Sequence, residues 1–104
     1  MSNLEKNKLD IINIIQTALD ELHDSAIIEN RVFAEKNTPI IGDGAELDSV
    51  AFITLISDIE SRVCEKFNKD IFIILSDIQS LDDESSAMNV DMLTNYLLTI
   101  ISKE

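Results

Sequence analysis

Three stretches of the chain set apolar residues at helical spacing, and each predicts an amphipathic helix. From about Leu4 to Leu22, the residues Ile11, Ile12, Ile15, Ala18, Leu19 and Leu22 repeat at three and four. Asn13, Gln16, Thr17, Asp20 and Glu21 fall on the opposite side. Ser2 or Asn3 can cap the start of this helix. From Ser49 to Phe67, the residues Val50, Ile53, Ile56 and Ile59 recur every third position. Phe52 and Leu55 widen that stripe, Val63 and Phe67 extend it, and Asn68 can end it. Asn89 can cap a last helix that reaches about Ser102, with Val90, Leu93, Leu97 and Ile100 or Ile101 on its buried face.

The connections are less regular. Between Asp24 and Leu47, the residues Ile27, Ile28, Val32 and Phe33 form a further helical turn or two, or pack as single anchors. Glu35-Lys36-Asn37-Thr38-Pro39 is turn chemistry, and Ile40 and Ile41 are apolar pegs for a long crossing loop. Ile71 to Leu75 would pass for a strand on pattern alone. With no second strand predicted to pair with it, it is read as a packed loop or the start of a short third helix. Ser76, Asp77 or both would cap that turn, which runs through Ile78 and Leu81, and Asp82 to Ser86 make a solvated connection. The expected fold is therefore all-α.

Composition narrows the function classes. A chain of 104 residues suits one domain with a modest core, and 45% apolar content is too high for a disordered one. Eight basic residues against twenty acidic give a net charge of −12, which repels nucleic acid and anionic membranes and favours a partner with a basic surface. The polar start, Met1 to Lys6, lacks the apolar core of a signal peptide, and no apolar run approaches the length of a membrane span. One cysteine permits no internal disulfide and points to a reducing, cytoplasmic setting. Cys64 has no cysteine or histidine neighbours of a metal site, and its plain reading is a small residue near the core of a helix. His23, beside Asp24 at a helix end, is read as a dipole-stabilised surface residue. A small enzyme built on His23 or Cys64 is disfavoured because no nucleophile, base and orienting group come together, and no metal site is expected.

The richest stretch is Gly42-Asp43-Gly44-Ala45-Glu46-Leu47-Asp48-Ser49. Two glycines and small acidic residues make a loop that runs into the second helix, with Asp48 and Ser49 at the junction. A serine there is expected to face water. Residues 43 to 60 hold Asp43, Glu46, Asp48, Asp58 and Glu60 and no Lys or Arg.

Asp48-Ser49-Val50 at this corner, followed by an aliphatic stripe ending in Ile59-Glu60, resembles the acyl carrier protein family. That family's hallmark is Asp-Ser-Leu at the start of the second helix and a stripe ending in Leu-Glu. Leu47 before the aspartate is similar to the D-alanyl and other specialised carriers. Val90, Leu93, Tyr96 and Leu97 look like the family's last helix, with Asn89 where a threonine is usual. The resemblance covers roughly Leu4 to Ile101. It implies a single carrier domain over 1–104, a monomeric four-helix bundle of acyl-carrier type with a long loop between helices 1 and 2 and a short third helix.

It also implies a role that is not enzymatic. A phosphopantetheinyl transferase would move 4′-phosphopantetheine from coenzyme A to Ser49, with Asp48 as the flanking motif. The arm's thiol would then carry an acyl or aminoacyl group as a thioester between partner enzymes. Those partners, a loading ligase and a downstream transferase or synthase, would dock basic patches on Asp43, Glu46, Asp48, Val50, Ile53, Thr54 and Glu60. The chain departs from the fatty-acid type at Thr54, often glutamate there, at Val50, usually leucine or methionine, and at Phe67, one turn late. These departures point to a specialised carrier. The other reading is an unmodified acidic helical adaptor that binds a basic protein.

Overall fold

The structure, a computed structural model, describes residues 3–41, 47–74 and 88–103, with side chains at 5–40, 47, 48, 50–74 and 88–102. The described residues are mostly helical. Helix α1 spans Asn3–Asp24, α2 spans Ser49–Phe67 and α3 spans Val90–Lys103. The predicted boundaries of all three agree with these spans to within two residues. A small two-stranded antiparallel ribbon, β1 (Pro39–Ile41) and β2 (Met88–Asn89), joins the crossing loop to the start of α3. The all-helical expectation missed it. Residues 39–41 are too short to show alternation, and the partner strand is two residues long.

The caps explain why the helices stop where they do. Asp48 is extended (φ −87°, ψ −175°), and its Oδ1 accepts from the Ala51 N–H at 2.8 Å. Asn89 does the same for α3, accepting from the Met92 N–H at 2.9 Å. At the other end of α2, Asn68 sits in the left-handed region (φ 55°) and donates its N–H to the Cys64 carbonyl. The end of α1 is closed differently. Ala26 takes φ 63°, while Ile27 N–H reaches the Leu22 carbonyl at 2.9 Å and Ala26 N–H reaches that of His23 at 3.0 Å. These are the paired bonds of a Schellman closure, here with alanine where glycine is favoured.

One apolar core joins the elements. Ile11, Ile15, Ala18, Leu19 and Leu22 of α1 meet Ala51, Phe52, Leu55, Ile56, Ile59 and Val63 of α2, and Val90, Leu93, Leu97, Leu98 and Ile101 of α3. Helix α1 packs against both of the others. Of the residues between helices, Ile28 and Val32 are buried as single anchors, whereas Ile27 and Phe33 face outward. Ile40 is buried as expected of a peg. Thr38 closes the predicted turn: its hydroxyl donates to the Phe33 carbonyl at 2.7 Å and accepts from Glu35 N–H at 3.0 Å.

Polar groups of α1 fasten the crossing loop as well. Gln16 Nε2 donates to the Val32 carbonyl at 3.0 Å, and its Oε1 accepts from the Ala34 N–H at 2.8 Å. The same amide donates to Asp20 Oδ1 at 3.1 Å, which also accepts from Arg31 Nε at 3.2 Å. The Arg31 bond holds the Asp20 carboxyl below its ordinary range.

Residues 71–74 have no regular structure; Ile71 is buried and Ile73 half-buried against the core, as expected of a packed loop, whereas Phe72 and Ile74 are exposed. The rest of that expectation, a short helix through Ile78 and Leu81 and a connection over Asp82 to Ser86, lies outside the described residues. So do the Gly42-to-Glu46 loop and the Ser2 cap. Among the described residues, no helix is long and apolar enough to cross a membrane.

Candidate functional site

The corner at Asp48 and Ser49 is built by the cap. Because the Asp48 carboxylate turns back onto Ala51 N–H, and its carbonyl accepts from Phe52 N–H at 2.8 Å, the helix starts cleanly at Ser49. The backbone N–H groups of Ser49 and Val50 have no carbonyl one turn earlier within the helix. They mark the positive end of the α2 dipole. The hydroxyl of Ser49, and the carboxylates of Asp43 and Glu46, lie outside the described side chains.

The side chains that follow split by face. An α-helix advances about 100° per residue, so residues three apart drift about 60° backward at each step. Between Val50 and Ile59 that drift amounts to about half a turn. Ile59 is accordingly fully buried, while Val50 is 69% and Ile53 60% exposed. The every-third-residue stripe is thus not one face, and the core face is Ala51, Phe52, Leu55, Ile56, Ile59 and Val63. Val50 and Ile53 instead stand beside the corner in solvent, with exposed Asp48 and Thr54. The Thr54 hydroxyl donates to the Val50 carbonyl at 2.8 Å, so it is turned onto its own helix.

The acidic surface is more occupied than its composition suggests. Asp58 Oδ2 accepts from Arg62 Nε at 2.7 Å, and Arg62 Nη2 also pairs with Glu21 of α1. Both carboxylates hold the guanidinium above its ordinary pKa. Glu60 is half-buried, and its Oε2 accepts from the Ile73 N–H at 2.7 Å. Counting charges only as far as residue 60 stops one half-turn short of Arg62. The Glu60 bond joins residues thirteen apart and leaves no sequence signal.

The remaining chemistry-bearing residues do not converge. His23 Nδ1 lies 3.9 Å from Asp24 Oδ1 in the last turn of α1. Cys64 is half-buried against the core, with its Sγ 3.4 Å from the Ile71 nitrogen and 3.5 Å from its carbonyl oxygen. No group of three or more His, Cys, Asp or Glu able to hold a metal ion occurs among the described residues. Compared with protein-family models, with characterised proteins and with solved structures, the chain gives no significant match.

Proposed function

We propose that the chain is a specialised acyl carrier protein that bears 4′-phosphopantetheine on Ser49. The observation that carries this reading is the corner itself: Asp48-Ser49-Val50 at a capped helix start, with Val50 and Ile53 turned out to solvent beside it. A phosphodiester on Ser49 fits this place. It would lie next to first-turn N–H groups at the positive helix end, while the carboxylate of Asp48 is already committed to Ala51 N–H. The group, when bound, supplies a flexible thiol that carries an acyl or aminoacyl cargo as a thioester.

This chain's own residues hold the attachment point and present the face around it. Val50 and Ile53 offer apolar contact, and Asp48, with Asp43 and Glu46 in the preceding loop, offers charge to a basic partner. Encounters of this kind are fast, transient and salt-sensitive. The partners are a phosphopantetheinyl transferase, a loading ligase and a downstream transferase or synthase, all in the cytoplasm. The proposed architecture is the four-helix carrier bundle of a monomer, with α1, α2 and α3 as its long helices.

Incubation with coenzyme A, magnesium and a broad-specificity phosphopantetheinyl transferase, followed by intact-protein mass spectrometry, is the test. The expected result is one added phosphopantetheine, lost in Ser49→Ala. A mass that stays unchanged beside a control carrier that is modified would overturn the reading. Recovery of one stable basic partner, equally by wild type and Ser49→Ala, would then favour the adaptor.

A further inference from the structure

Helices α2 and α3 each lie against α1, and residues 69–74 are fastened to both of them. After the left-handed turn at Asn68 the chain doubles back along α2, reaching Cys64 with Ile71 and Glu60 with Ile73. Its fasteners come from both helices. Lys69 Nζ donates to the Ile101 carbonyl of α3 at 3.0 Å, and Ile74 N–H donates to Tyr96 Oη of α3 at 3.0 Å. Ile71 N–H and carbonyl both meet Cys64 Sγ of α2, and Ile73 N–H donates to Glu60 Oε2 of α2.

Two features set this segment apart from the rest of the core's wall. Among the described residues, the hydrogen bonds of Ile71 to Ile74 all end on side chains, none in a backbone ladder. Only Ile71 is deeply buried, whereas Phe72 and Ile74 already face solvent. Among the described residues, lifting the segment would uncover Ile71 and the half-buried Ile73 and break the Lys69 N–H bond to the Cys64 carbonyl and a few side-chain bonds, while the helix ladders stay intact. Segments with few buried apolar contacts open locally at lower free energy than the whole fold.

We propose that residues 69–74 form a releasable strap across α2 and α3, latched by Glu60 and Tyr96, which opens as one unit while the three helices remain folded. The strap stands independently of the carrier reading. Glu60 and Tyr96 anchor adjacent amides to opposite walls, so losing either latch loosens the other's bond.

Native-state amide exchange on the whole chain, followed by NMR at low urea concentrations, tests it. The amides of Ile71, Ile73 and Ile74 should share one opening equilibrium, smaller in free energy than that of the Leu19, Leu55 and Leu97 amides and nearly insensitive to urea. Tyr96→Phe removes the acceptor of a single amide. It should speed exchange at all three strap amides by about tenfold, the scale of one hydrogen bond, and leave Leu55 and Leu97 unchanged. The strap is refuted if the three amides follow the urea dependence of global unfolding, if they show no protection, or if Tyr96→Phe accelerates Ile74 alone. The wild-type urea series decides the matter even should the variant fail to fold.

Discussion

Gln16 offers the sharpest test of how the crossing loop is held, because one amide serves three partners. Its Nε2 donates to the Val32 carbonyl and Asp20, and its Oε1 accepts from Ala34 N–H. Gln16→Ala strips two backbone groups of their partner at a half-buried site. Each such bond contributes about 0.5–1.5 kcal/mol, so the loss should be about 1–3 kcal/mol. For a domain of this size that lowers Tm by at least about 4 °C. Gln16→Glu is nearly isosteric but has no donor, so the introduced carboxylate faces the Val32 oxygen and Asp20 Oδ1 across bonds of 3.0 and 3.1 Å. Only the Ala34 bond survives, and a like-charge contact replaces a favourable one. At neutral pH it should destabilise by at least as much as alanine, and acidification that protonates the new carboxyl should recover part of the loss. Urea titration by circular dichroism at two pH values measures both effects. If both variants unfold at the wild-type midpoint, the loop is held by its apolar anchors alone and the clamp has no energetic role.

Two further predictions follow from the helices themselves. Ile59→Ala should cost about 2–5 kcal/mol as a core cavity, and Ile53→Ala less than about 0.5 kcal/mol, in the same urea titration; similar losses at both would refute the assigned faces. Ala26→Gly should raise stability by about 0.5–1 kcal/mol, since φ 63° is strained for alanine and free for glycine; a lower melting temperature in calorimetry would refute the Schellman closure.

The helices were legible because each carries apolar spacing over at least three turns, and α2 and α3 carry end signals as well: capping side chains at Asp48 and Asn89, and an asparagine suited to the left-handed turn at Asn68. The ribbon and the loop fasteners were not, for a common reason. Gln16 and Asp20 sit on the polar face of α1, which pattern assigns to solvent, yet that face receives residues 31–34. Glu60 and Tyr96 likewise look like surface residues until the chain doubles back at Asn68 and brings amides to them. Periodicity says where a helix hides apolar area, but not which polar groups another segment will later need.

The same limit governs the candidate site. Leu47-Asp48-Ser49-Val50 stood out as a motif, and the cap geometry of Asp48 could be read from residue type alone. What could not be read is which neighbours face outward, because a stripe taken every third residue turns steadily around the helix. That rotation carries Val50 and Ile53 out of the core and leaves Ile59 inside it. A sequence chosen only to bury area would place polar residues at 50 and 53. Their apolar character beside a helix start, with the nearby carboxylate of Asp58 tied to Arg62 and that of Glu60 to the Ile73 amide, fits the brief apolar contact that the proposed carrier function calls for.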